Sequence, residues 1–219
     1  MQSPVSASVQ DYLKAIYEIR EEHERVSTNA LADKLGVAAA SVTGMLKKLA
    51  DIKLVDYEQY KGVRLTVAGE KMALEIIRHH RLLELYLHEA MGYDIDKVHA
   101  EAERMEHAIS EEFEERMSRL LGDPSVDPHG DPIPTKGGEV AERSRLALSD
   151  IEPGRTVVIE RVRDKDARAL REIATIGLLP KRSVTVVDVQ AESGVLHVSI
   201  DGAPPVQVTL DLACGVFVR

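Results

Sequence analysis

The chain has 219 residues, enough for a real hydrophobic core and for one large domain or two modest ones, two being expected. Its net charge of −9 excludes a surface that coats nucleic acid uniformly, and its single cysteine, Cys214, excludes an intrachain disulfide. The N-terminus shows no basic segment followed by an apolar run, and no stretch approaches the roughly 18 apolar residues of a membrane span, so a soluble cytoplasmic protein is expected.

The charge is uneven. Residues 76–122 carry six basic against eleven acidic side chains, whereas residues 30–71 carry seven against five, so any contact with DNA must be local to the second stretch. Val9, Leu13, Ile16 and Tyr17 recur at helical spacing and predict a first helix from Ser8 to Glu22, with Asp11 in its first turn as a dipole partner or as a ligand. Val26 to Gly36 reads as a short amphipathic helix closed by glycine, followed by a second helix from about Ala39 to Ile52. Leu31, Leu35, Val42, Leu46 and Leu49 supply the packing of this helix-turn-helix. Ala40, Ser41, Thr43, Gly44, Lys47 and Lys48 are left on the outward side, where small residues and hydroxyls approach base edges and lysines meet phosphates. Leu54–Tyr57 and Val63–Thr66 then flank a tip with Lys61 and Gly62, the pattern of a wing, and Tyr60, Lys61 and Arg64 either track the phosphate backbone or decorate an ordinary solvated hairpin.

Thr66 is placed to cap a long helix running to about Met91, too apolar to be buried on one side only. The spacing after Gly92 predicts another helix from Ile95 to Leu121, with a stripe of Val98, Ala102, Met105, Ile109, Phe113 and Leu120. At roughly 100° per residue, His99, Glu103, Glu106 and His107 share about a quarter-turn of that helix, while His80 and Glu84 share a face of the preceding one. Five of the eight histidines lie between His79 and His107. Imidazoles and carboxylates so grouped suit a divalent first-row metal, against the plainer reading of a solvated acidic face. The surplus of apolar faces on these two helices points to a symmetric dimer.

Four of the nine prolines fall at Pro124, Pro128, Pro132 and Pro134 and mark a domain boundary. Glu139 to Leu148 predicts a short helix. Beyond Pro153-Gly154, β-branched segments at 156–162, 183–189, 195–200, 206–210 and 215–218, with one helix over 166–176, predict a small β-barrel. The expected fold is mainly α with an all-β C-terminal domain. The division is a winged helix-turn-helix over 1–70, a helical metal-binding and dimerisation domain over 71–138, a linker over 139–150 and the barrel over 151–219.

Several runs together resemble the diphtheria-toxin-repressor (DtxR/MntR) family of metal-dependent transcriptional repressors: Asp11–Tyr17, Ser41–Thr43, Leu65–Gly69, His80–Glu84, Asp96–His99, Glu103–His107 and Asp131–Pro134. The C-terminal part, with Leu170 to Pro180, is similar to the FeoA-like, Src-homology-like barrel of longer members. The resemblance implies a main regulatory metal site at Asp11, Glu103, Glu106 and His107, and an ancillary site at His80, Glu84 and His99. Asp166 is the nearest match to a ligand supplied by the barrel, with Asp164 second. Iron-responsive members carry Met and Cys where this chain has Asp11 and Glu103, and hard oxygen donors favour Mn(II), with Fe(II) as the other candidate. Members with a closely bridged metal pair carry Glu where this chain has Lys14, so separated sites are expected.

The resulting expectation is a homodimeric repressor, not an enzyme, that needs no organic substrate or membrane. It binds double-stranded DNA at a palindromic operator and silences metal-uptake genes when metal is bound. Two rivals remain: a winged-helix regulator answering to a non-metal ligand or a partner, and a di-metal carboxylate enzyme. The Glu-x-x-His repeats of the latter are absent here, since position 106 is Glu and position 104 is Arg.

Overall fold

The computed structural model describes residues 6–20, 25–163 and 166–219. They form two compact units, the first comprising residues up to 80, 105–114 and 134–139, and the second 81–104, 115–133 and 140–219. The expected end of the first helix at Glu22, and Asp164, lie outside the described residues.

In the first unit, α1 (Ala7–Arg20) buries Val9, Tyr12, Leu13, Ala15 and Ile16. It starts early enough that Asp11 falls beyond the first turn, which removes the dipole role considered for it. Helix α2 (Thr28–Leu35) begins at Ser27, whose hydroxyl accepts from Ala30 N at 3.1 Å, and ends at Gly36 with φ 65°. Helix α3 (Ala39–Asp51) packs on it through Val42, Leu46 and Leu49, which are fully buried with Leu31. Each such side chain contributes roughly 1.5–3 kcal/mol. Strands β1 (Val55–Glu58) and β2 (Gly62–Leu65) pair antiparallel, Val55 opposite Leu65, as the wing. Val26, expected in a helix, instead bridges Val63 with both backbone hydrogen bonds at 2.9 Å and adds a third, one-residue segment beside β2. Gly62 (φ 96°) is required there, because a Cβ would stand 2.6 Å from the Val26 carbonyl oxygen.

Thr66 caps α4 (Val67–Glu89), its hydroxyl accepting from Gly69 N at 3.2 Å. A Cβ on Gly69 would lie 2.0 Å from Leu54 O, so glycine lets the helix start against the wing. The single helix expected over 95–121 is two: α5 (Val98–Met105) and α6 (Glu111–Leu120). Ser110 starts α6 by accepting from Phe113 N on its hydroxyl at 3.2 Å and from Glu114 N on its carbonyl at 2.9 Å, and Glu111, Glu112 and Glu114 fill the first turn. Glu106 and His107 therefore sit in a turn and not on a helical arc. The expected stripe also breaks: Phe113 is 41% and Leu120 69% exposed, while Met117 is buried.

In the second unit, β3 (Thr156–Val162), α7 (Ala167–Ile176), β4 (Ser183–Gln190), β5 (Val195–Ile200), β6 (Val206–Thr209), α8 (Leu210–Ala213) and β7 (Val216–Val218) build one antiparallel sheet in the order β6-β5-β4-β3-β7. Register shifts at Ile159/Arg161 and Val186/Asp188 are bulges that curl it around Leu170, Ile173, Val184, Leu196 and Val198. Burial alternates strictly along β5, as period-2 patterning requires. No helix forms over 139–147: Ser144 donates from its hydroxyl to Val218 O at 2.6 Å, Val218 N donates to Leu146 O at 2.9 Å, and Ala147 bridges Phe217. The backbone there is taken by the sheet edge. Only a short 3-10 turn follows, Leu148–Asp150. Among the described residues no helix is long and apolar enough to cross a membrane.

Candidate metal centre

In the first unit, α1 presents Asp11 to the turn after α5, where Glu106 and His107 stand. One donor atom from each lies within 4.8 Å of the others. His107 Nε2 is 2.8 Å from Asp11 Oδ1 and 3.6 Å from Glu106 Oε1, and its Nδ1 is 2.8 Å from Gln10 Oε1. His107 Nδ1 donates to Gln10 Oε1 and thereby fixes the ring so that Nε2 faces both carboxylates, where a bound cation would take the place of the Nε2 proton. The Glu106 turn is itself fixed: its carbonyl, which only accepts, takes a hydrogen bond from His79 Nδ1 at 3.2 Å.

The two carboxylates are shifted in opposite directions. Burial pushes Asp11 up, with Glu106 adding and His107 and Lys14 opposing. Burial also works to raise Glu106, but the His80 hydrogen bond and the Lys14 charge outweigh it and hold the acid below its ordinary value. Two carboxylates and an imidazole turned toward one point fit a divalent cation of intermediate hardness.

The second unit holds another cluster, Glu84, Asp127 and His129, all buried. His129 Nε2 donates to Ile95 O at 3.1 Å, which fixes the ring with Nδ1 at 3.7 Å from Glu84 Oε2 and 3.9 Å from Asp127 Oδ1. Asp127 Oδ1 accepts from His129 N and Asp131 N at 2.8 and 2.9 Å, while Oδ2 has no hydrogen-bond partner among the described residues. Burial, then the Glu84 and Asp131 charges, push Asp127 well above the usual carboxylate range. A buried oxygen that receives no hydrogen bond, with Arg81 Nε no nearer than 3.8 Å and a second carboxylate beside it, is a place for a cation. The loop is pressed on β3 at Gly130 (φ 91°), where a Cβ would meet Glu160 O at 2.1 Å. Asp127 and His129 were not among the residues singled out from the sequence, although Asp127-Pro-His-Gly-Asp131 carries three potential ligands in five positions.

Of the other expected ligands, Glu84 accepts from His99 Nδ1 at 3.0 Å within the second unit. His99 Nε2 is 3.7 Å from Glu103, which is exposed on α5 and belongs to no three-ligand group among the described residues. His80 stands one helical turn before Glu84 on α4. Asp166 caps α7, accepting from Arg168 N and Ala169 N, and likewise joins no such group.

On α3, Ala40, Ser41, Gly44, Lys47 and Lys48 are exposed; Thr43 is half-buried, its hydroxyl donating to Ala39 O at 3.0 Å. Tyr60 at the wing tip is 96% exposed. Lys61 and Arg64 are exposed but paired with Glu58 at 2.8 Å and Asp56 at 3.0 Å.

Three family models match the chain end to end: the iron-dependent repressor N-terminal DNA-binding domain over residues 5–63, the iron-dependent repressor metal-binding and dimerisation domain over 66–135, and the FeoA domain over 146–219. A solved manganese-dependent transcriptional repressor in complex with manganese is 37% identical with a TM-score of 0.89, covering 96% of this chain and 99% of that one. The chain belongs to the iron-dependent repressor family. The manganese regulator SloR is 33% identical, with a TM-score of 0.74 over 96% of this chain and 97% of its own. The diphtheria toxin repressor of Corynebacterium efficiens is 29% identical over 218 residues, 95% of this chain and 93% of that protein. The family's members are metal-dependent transcriptional repressors that bind DNA and dimerise, and they are not enzymes. That sets aside the di-metal enzyme.

Proposed function

We propose that this chain is a homodimeric, Mn(II)-responsive repressor that binds a palindromic operator in the cytoplasm and silences metal-uptake genes when metal is abundant. The observation that carries the reading is the Asp11–His107 pair at 2.8 Å. It joins a residue in the stretch matched as DNA-binding to one in the stretch matched as metal-binding, inside a single unit. Asp11, Glu106 and His107 hold the regulatory cation, with Gln10 fixing the imidazole. Glu84, Asp127 and His129 hold a second cation, with His99 beside them. When bound, the metal supplies positive charge that removes the repulsion between Asp11 and Glu106, and the form in which both are ionised and close becomes the favoured one.

The functional division runs as winged helix over 1–70, metal-binding and dimerisation region over 71–138, linker over 139–150 and barrel over 151–219. In a dimer two copies of α3 match successive major grooves, roughly 34 Å apart. Ser41 and Thr43 read bases, Ala40 and Gly44 allow close approach, and Lys47, Lys48, Tyr60, Lys61 and Arg64 hold the backbone. The exposed Phe113 and Leu120, seven apart on α6, supply apolar surface for dimerisation.

The choice of Mn(II) rests on the anionic oxygens of Asp11 and Glu106, with Fe(II) as a weaker activator. Anaerobic fluorescence anisotropy with operator DNA tests it. Mn(II) should activate at lower concentration than Fe(II), Zn(II) should bind without full activation, and Asp11→Met should move the Mn(II)-to-Fe(II) ratio toward iron. An unmoved ratio overturns the assignment, and DNA binding indifferent to every metal favours the non-metal regulator.

A further inference from the structure

Lys14 lies three residues after Asp11 on α1 and is only 8% exposed. Its Nζ donates to both oxygens of Glu106, at 2.9 and 2.8 Å, and stands 3.1 Å from His80 Nδ1, itself 2.5 Å from Glu106 Oε2. The most buried acid of the regulatory cluster thus has both oxygens engaged by an ammonium. A buried carboxylate stripped of its partner is strongly destabilised, so this pair keeps the metal-free cluster intact. The same contact opposes metal binding. Asp11 and Glu106 supply two negative charges, and a divalent cation alone balances them; with Lys14 in place, the site carries one positive charge too many. Lysine suits exchange, since its charge is compact and its four-carbon stem is flexible.

We propose that Lys14 is a tethered competitor cation: it occupies Glu106 until metal displaces it, and so raises the metal concentration at which the regulatory site fills. This rests on Asp11, Glu106 and His107 being a metal centre. It adds a residue that is not a ligand yet determines affinity. The threshold is then set by competition within the chain as well as by the ligands, because anything that stabilises the metal-free form weakens apparent metal affinity by the same factor.

The test is calorimetric titration of Mn(II) into the full-length protein, for the unmodified chain and for Lys14→Gln, Lys14→Arg and His107→Ala. Lys14→Gln removes the charge and should lower the apparent Kd of the His107-dependent event at least about tenfold, whereas Lys14→Arg keeps the charge and should stay within about threefold of the unmodified chain. An unchanged or weaker affinity in Lys14→Gln overturns the proposal while leaving the metal site standing. Mn(II) binding that is absent, or untouched by His107→Ala, overturns the site reading and the proposal with it. A second measurement needs no variant at Lys14. Amine acylation mapped by mass spectrometry should show Lys14 protected in chelator and more reactive with Mn(II), an increase that His107→Ala abolishes. Reactivity that stays flat or falls with Mn(II) overturns the competitor role.

Discussion

The two clusters use the same donors, two carboxylates and one imidazole, and differ in how their charge is balanced without metal. At Asp11, Glu106 and His107, an ammonium sits 2.8 Å from the key carboxylate and part of the cluster is open to solvent. At Glu84, Asp127 and His129, all three are buried and the nearest cation to Asp127 is Arg81 Nε at 3.8 Å. The consequence is opposite acid strength: Glu106 is held down and Asp127 is pushed up. The first arrangement is a site that stands ready and must be competed for. The second holds an acid whose charged form burial disfavours, and it gains most from a cation that offsets that charge.

The contrast breaks most sharply on function. His107→Ala should erase the stimulation of DNA binding by Mn(II), a coupling of about 5–150-fold in typical allosteric systems, while Asp127→Asn should keep most of it, both read by anisotropy at fixed salt. Equal losses would mean that the clusters act as one. Next in size is the pH dependence of stability in chelator. Asp127 is raised, so its native form holds a proton that the unfolded chain releases above the ordinary value of 3.8. Its effect on stability is absent below that value and grows more unfavourable as pH rises toward its raised folded value. Glu106 has the opposite sign: its stabilisation is present above the ordinary value of 4.5 and lost as pH falls through its lowered one. Asp127→Asn should therefore flatten the decline toward neutral pH in urea unfolding, and an unaltered slope would show that Asp127 ionises normally. The smallest effect belongs to the wing. Lys61→Ala or Arg64→Ala should weaken binding to all DNA sequences alike and lower the salt slope by roughly one each. Because both are already paired with Glu58 and Asp56, salt slopes left intact by both changes would place the wing off the phosphates.

Much of the fold was legible because its signals are local. Ser27 and Gly36 bracket α2, the wing alternates at period two around Gly62, and the barrel strands were placed to within a residue or two. The failures came where tertiary partners overrode local pattern. Glu139–Leu148 has helix-forming residues, but its backbone is taken by β7. The break after α5 was hidden by a hydrophobic stripe that keeps helical period through Ile109 and Phe113, although Ser110-Glu-Glu is a start signal within it. The grouping of Asp11 with Glu106 and His107 follows from the family resemblance and agrees with the geometry, whereas the helical arc of His99, Glu103, Glu106 and His107 does not form, since Glu106 and His107 sit in a turn. Asp127 and His129 went unremarked because a proline-rich loop has no period from which a shared face can be read.

The central claim is that Asp11, Glu106 and His107 hold the regulatory cation, and anomalous diffraction at the manganese edge from Mn(II)-loaded crystals tests it most directly. The account predicts a peak bonded to His107 Nε2 and to the carboxylates of Asp11 and Glu106, with the Lys14 ammonium withdrawn from Glu106. Strong peaks elsewhere, with none at these three residues and Lys14 still paired to Glu106, would contradict it.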